Sequence, residues 1–255
     1  TYYYQTNFFK NINIYGIFWI SMNYTEENIS NFDECFKFFE QELSHKELYA
    51  SLRDGNIAEK QLSCVRIEHC DSAEEAGILM DNLTGIDGKV RETVSFKLKT
   101  FVAARPELFS RQEFYDIFLD AIIDINGNIC RNIICALEPL TSDCRFCEYF
   151  IENVMQRALI VTEKIENFEY KDRKYVTNKE VFKLYWYLEV LGIFNELPAE
   201  KIFALLERTS KIEEYTIREK TARLLLKLPG EYKLDGLNFD NNFYVNLALN
   251  QRFTQ

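Results

Sequence analysis

Residues Gly88–Ala104 read GKVRETVSFKLKTFVAA. Val90, Val94, Leu98 and Phe101 are spaced four, four and three apart, so at about 100° per residue they fall on one narrow stripe of a helix. A shift of 39 residues repeats the stripe as Ile129, Ile133, Leu137 and Leu140. A shift of 127 from the first copy repeats it as Ile217, Thr221, Leu225 and Leu228, with Thr221 the one residue that is not strongly apolar. A single amphipathic helix has little diagnostic weight. Three in matching register, with a period near 40 residues, fit stacked two-helix repeats.

Polar turns precede the copies: Asp87-Gly88, Asn126-Gly127-Asn128, and residues 209–214. Ahead of each turn lies another helical pattern. It comprises Ala76, Ile78, Leu79 and Leu83, then Phe114, Ile117, Phe118, Ala121 and Ile122, then Ile202, Phe203, Leu205 and Leu206. The unit is therefore helix, short turn, helix. Each unit alone leaves an apolar stripe in water, so units must stack. The predicted fold class is all-α, an α-solenoid of stacked antiparallel helix pairs.

The turn Asp87-Gly88-Lys89-Val90-Arg91, followed by Val94 and Leu98, resembles the second half of a HEAT repeat, of the armadillo-like class. There an Asp in the turn precedes a Val-Arg that opens the inner helix. In the second copy the position of Arg91 is Cys130, with Arg131 one step on; in the third it is Arg218. The resemblance covers residues 72–140 and 198–228 and implies a fold rather than an activity.

Composition sets limits on function. With 40 acidic and 30 basic residues the net charge is −10, which repels a phosphate backbone and argues against nucleic acid. Hydrophobic residues at 47% exclude bulk disorder. Cys35, Cys64, Cys70, Cys130, Cys135, Cys144 and Cys147 are odd in number in a long chain, which points to free thiols in a reducing cytoplasm. Cys135, inside a predicted helix, is expected to be among the buried ones.

Along the chain, residues 1–21 carry one charge, Lys10, and end in the apolar run Ile14 to Ile20. That run is too short to span a bilayer, and Met22 follows directly, so residues 1–21 are expected to be non-native or upstream sequence; the rival is a membrane-associating leader. Helices are expected over 28–43, 46–52 and 57–69. Ser72/Glu75, Ser110/Glu113, Thr177/Glu180 and Ser210/Glu213 have the capping-box spacing and are expected at helix starts. Pro106 should break the chain after the first repeat. A long helix is expected over 145–167, a charged loop over 169–173, and a helix apolar on most sides over 181–194, forming an elongated pair. Residues 22–230 are read as one helical repeat domain and 231–255 as a tail with a short helix near Phe243.

Chemistry is sparse. Two histidines, His45 and His69, restrict acid–base or metal mechanisms. Cys144-Arg-Phe-Cys147 has C-x-x-C spacing, which serves half of a zinc site or a redox pair. Zinc would need His69 with Cys70 or Cys64, and the reading adopted is two structural thiols near a helix start. The abundant aromatics are expected in the core. No catalytic residue, metal or cofactor is assigned. Opposite the core stripe lie Glu92, Phe96 and Lys99, then Arg131, Cys135 and Glu138, then Glu219, Arg223 and Leu226. Glu92, Phe96, Lys99, Arg131, Cys135, Glu138 and Arg223 are the candidate partner-binding residues; an ordinary solvated face is the alternative. The expected function is a non-enzymatic scaffold or adaptor binding another protein or peptide on its concave face, with no membrane span. The resemblance also admits an enzyme of the tetrapyrrole-lyase type, or an alkylated-base DNA glycosylase, against which the acidic charge argues.

Overall fold

A computed structural model describes residues 38, 40–167, 174–230, 232–238 and 240–250, with backbone only for 174–178. The expectations for residues 1–37 and 168–173 lie outside the described residues. All regular structure among the described residues is helical. The chain divides into two compact units, Thr1–Ile67 and Glu68–Gln255.

In the first unit α1 (His45–Asp54) packs on α2 (Ile57–Arg66). Each begins with a complete capping box. The Ser44 side chain accepts from the Glu47 amide and Asn56 from the Glu59 amide, while each glutamate accepts from the amide of its capping residue. Leu48, Tyr49, Leu52 and Cys64 fill the space between. The Arg66 guanidinium donates to the carbonyls of Phe38 (3.3 Å) and Gln41 (2.7 Å).

The second unit contains α3 (Ala73–Leu83), α4 (Gly88–Ala104), the short α5 (Pro106–Phe109), α6 (Tyr115–Ala121) and α7 (Gly127–Leu137). These are followed by α8 (Cys144–Glu166), α9 (Lys174–Leu191), α10 (Ala199–Thr209), α11 (Tyr215–Lys227) and α12 (Phe243–Asn250). Helices pair in chain order: α3 with α4, α6 with α7, α8 with α9, α10 with α11. Second members also meet one another: α4 meets α7, α7 meets α9, α9 meets α11, and α11 meets α12. First members do likewise, α3 with α6, α6 with α8, α8 with α10. The stripe residues Val90, Val94, Leu98, Phe101, Ile129, Ile133, Leu137, Leu140, Ile217, Leu225 and Leu228 are all buried. Phe146, Phe150 and Phe194 form a buried aromatic cluster, the first two stacked at 4.9 Å, so these aromatics are core.

Two departures from the repeat pattern have physical causes. Thr221 can be buried because its hydroxyl donates to the Ile217 carbonyl at 2.9 Å and, across the pair, lies in hydrogen-bonding contact with the Thr209 hydroxyl at 2.8 Å. Leu140 holds its place in the stripe on a 3₁₀ segment, Glu138–Ser142, because Pro139 has no N–H to continue α7. The helix expected over 113–123 begins as a 3₁₀ turn and is regular only from Tyr115 to Ala121.

Three expected capping boxes are corrected. Ser110 ends α5, Thr177 lies inside α9, and Ser210 ends α10 with its hydroxyl donating to the Glu207 carbonyl. Ser72 does cap α3, accepting from the Glu75 amide, but the Glu75 carboxylate accepts from Asp71 rather than from Ser72. Four other starts use shorter caps: Asp87, Asn126, Asp143 and Glu214 accept from amides two residues on. Pro106 occupies the first position of α5, where its missing N–H costs nothing, and α4 stops two residues before it.

The fourth residue of α4, α7, α8 and α11 has a common task. Arg91, Cys130, Cys147 and Arg218 each donate to the carbonyl six residues back: Gly85 (2.8 Å), Asp124 (3.1 Å), Thr141 (3.1 Å) and Ile212 (2.9 Å). This closes the turn onto its helix by satisfying a carbonyl that no helical bond reaches. The two arginines also reach into the following turn. Arg91 Nε donates to Asp124 at 2.7 Å, and Arg218 Nε donates to Asp240. Each of these aspartates accepts in turn from the amide of the asparagine that caps the next helix, Asn126 or Asn242. Cys130 thus stands where an arginine would because its thiol covers the local half of the task.

The Asp240 side chain is only 3% exposed, and the hydrogen bond from Arg218 holds its carboxyl below the usual aspartate range. Such a group contributes stability that is complete above its unfolded value, near 3.8, and is lost as pH falls through the lower folded value. Asp240→Asn should therefore lower the urea midpoint at neutral pH. The gap from the parent should narrow as pH drops below about 4. A gap that stays constant down to acid unfolding would contradict this account.

Candidate protein-contact face

The candidate residues sit at the fifth and ninth positions of α4, α7 and α11 and at the twelfth of α4, opposite the buried stripe; Glu138, expected at the twelfth of α7, opens the 3₁₀ segment that follows it. On α4, Phe96 is 59% exposed although its neighbours Ser95 and Val94 are fully buried. Lys99 Nζ lies 4.3 Å from the centre of the Phe96 ring, a cation–π contact that holds the ring outward. Glu92 is half-buried. It accepts from Asn128 of α7 at 3.1 Å and from Lys89 at 3.4 Å.

The same face crosses to α7 by one further bond, Asn132 Nδ2 donating to the Ser95 hydroxyl at 3.1 Å, and within α7 Arg131 donates to Asn128 at 3.4 Å. Lys89, Glu92, Asn128 and Arg131 thus form one polar chain beside Phe96. Cys135 lies farther along α7 and Glu138 just beyond its end, and both are exposed. The exposure of Cys135 corrects the expectation that its thiol is buried. Among the described thiols Cys64, Cys70 and Cys130 are the buried ones, and burial followed by the Asp124 charge pushes the Cys130 thiol up to about 12.

Arg223 is exposed on α11, separated from α7 by α9. Its Nε donates to Glu219 one turn back. Glu219 lies 3.7 Å from Lys220 Nζ, which pairs with Glu189 of α9 at 2.6 Å and sits 5.1 Å from the Tyr185 ring centre. Leu226 is half-buried. The structure therefore joins Glu92, Phe96, Lys99 and Arg131 in one cluster and holds Arg223 in another.

Sequence reasoning did not single out Asn128, Ser95, Asn132, Tyr185 or Lys220, which stitch the helices together. It also passed over Ile86 and Ile125, which are 104% and 86% exposed at the tips of successive turns. Both precede a capping residue, and the recurring Ile-Asp/Asn-Gly at a spacing of 39 was a legible signal. A staple contact from Ile86 needs an apolar fourth helical residue, and that residue is Arg91; after Ile125 the fourth residue is Cys130, fully buried with its thiol on the Asp124 carbonyl.

Cys144 and Cys147 belong to no group of three potential metal ligands among the described residues. Chelators should accordingly leave the melting temperature unchanged. A large drop with stoichiometric zinc release that Cys144→Ser abolishes would overturn the reading of these thiols as metal-free.

No protein-family model matches the chain, and no curated protein matches it significantly. No helix among the described residues is long and apolar enough to cross a membrane.

Proposed function

We propose that this chain is a HEAT-like α-solenoid acting as a non-enzymatic scaffold. Its concave face, carrying Glu92, Phe96, Lys99, Arg131, Cys135, Glu138 and Arg223, would hold another protein or peptide in the reducing cytoplasm. The solenoid reading is supported by the neighbour order, in which second members meet second members and first members meet first members. It is supported too by side-chain bonds between successive pairs, such as Arg91 to Asp124, Asn128 to Glu92, and Arg157 of α8 to Asp120 of α6.

The binding reading rests on one observation: Phe96 is exposed and propped by Lys99 within a cross-linked polar frame. A large aromatic fixed in place loses little conformational freedom on binding, which suits it as an anchor. The test is affinity capture with the full chain and with Phe96→Ala, read by mass spectrometry. The expected result is a protein retained by the parent and lost from the variant. A bound chromophore or nucleic acid, or a protein retained equally by both, would refute the proposal.

A further inference from the structure

We infer that Cys144 and Cys147 form a redox switch at the start of α8, a dithiol that a small aliphatic disulfide of the glutathione type converts to an intrahelical disulfide. The two residues are the first and fourth of a 23-residue helix. Residues three apart on an α-helix have Cα atoms about 5 Å apart, inside the Cα window of about 4.4–6.8 Å for a disulfide, and the two thiols are near enough for the Cys144 charge to act on Cys147. Closing the bond needs the Cys147 side chain to turn from the Thr141 carbonyl and the first turn of the helix to adjust. Cys144 is exposed and Cys147 half-buried, so a small oxidant reaches the pair. The remaining described thiols differ. Cys64, Cys70 and Cys130 are buried, and exposed Cys135 lies on another helix, α7.

The chemistry balances without a metal. The Cys144 thiolate attacks one sulfur of the small disulfide; that S–S bond breaks, and one small thiolate leaves and takes up the proton that Cys144 released. Cys147 then gives up its proton and attacks the Cys144 sulfur, expelling the second small thiolate, which takes up that proton. Two protein thiols are oxidised to one disulfide, and the small disulfide is reduced to two thiols. Cys144 is the entry point because it is open to solvent, whereas the Cys147 S–H is engaged by the Thr141 carbonyl and burial raises its pKa.

The consequence is local. In the dithiol, Cys147 performs the fourth-position task and closes the turn Glu138–Ser142 onto α8. In the disulfide that sulfur carries no hydrogen, so the Thr141 carbonyl loses its donor and the connection between α7 and α8 loosens. Two of the four helices that use this device rely on a thiol, and only Cys147 has a second thiol one turn away.

The test uses the full chain equilibrated with glutathione disulfide near pH 8, followed by peptide mapping. The expected product lacks two hydrogens in the peptide spanning Cys144 and Cys147, with Cys135 carrying a glutathione adduct that shows the reagent reached exposed thiols. Amide exchange at residues 141–143 should speed up in the oxidised chain. Cys147→Ser keeps a hydroxyl donor for Thr141, so it should leave the glutathione on Cys144 and exchange at 141–143 unchanged. A stable Cys144 adduct in the parent, recovery of both thiols unmodified, or pairing of either with another cysteine would overturn the inference. So would unaltered exchange in a chain shown to carry the disulfide.

Discussion

Replacing Leu98 by alanine should cost roughly 2–5 kcal/mol of stability, whereas replacing Phe96 should cost about 1 kcal/mol or less. The residues are two apart on α4 and differ in what surrounds them. Leu98 is completely buried in the stripe, so truncation removes apolar contacts and leaves a cavity. Phe96 keeps more than half its surface in water, and its removal forfeits mainly the contact with Lys99. Urea unfolding of the two variants separates the cases, and affinity capture should show the reverse order, with Phe96→Ala the more damaging. Equal destabilisation would mean that the Phe96 side of α4 is covered by packing and is no binding surface.

Arg91→Ala should be the most damaging polar substitution, destabilising by about 3–5 kcal/mol. It would strip Asp124, whose side chain is 10% exposed, of its counter-ion, and leave the Gly85 and Ile86 carbonyls without their donor. In a double-mutant cycle with Asp124→Ala the coupling should be about 1–3 kcal/mol. Arg91→Lys should rescue little, because one ammonium cannot reproduce a fork that spans a carboxylate and two carbonyls. A cost for Arg91→Ala below about 1 kcal/mol would show that the pair is ornamental.

Much of this arrangement could be read from residues alone. The bounds of Ala73–Leu83 and Gly88–Ala104 were legible because Ser72 and Asp87 sit at their starts and Pro106 follows the second, and the exposure of Phe96 followed from the wheel. What resisted reading depends on partners distant in sequence. Nothing near Thr221 announces the Thr209 hydroxyl that satisfies it, and nothing near Glu92 announces Asn128. The Ser/Thr-x-x-Glu pattern misled at Ser110 and Ser210 because a serine can equally finish a helix, as Ser210 does by donating to a carbonyl three residues back. The same box was present and unremarked at Ser44 and Asn56, where it does open helices. The pair α8 and α9 was legible as an elongated one despite its break with the 39-residue spacing, but α9 begins at Lys174, before the apolar run from Val181 that announced it.

The division of labour among the fourth helical residues bears on how the second unit comes apart. Arg91 bolts the first helix pair to the turn of the second, and Arg218 bolts the fourth to the turn before α12, whereas Cys130 and Cys147 fasten only their own turns. In an array where neighbours share stability, cooperativity follows the strength of each junction. The fourth-position clamps thus lie toward the two ends, while the middle pairs are tied along the first members instead, Arg157 of α8 to Asp120 of α6 and Lys201 of α10 to Glu152 of α8. Removing the arginine clamps is therefore expected to loosen the second unit at its ends first, with the middle still held through α6, α8 and α10, which native-state amide exchange would read.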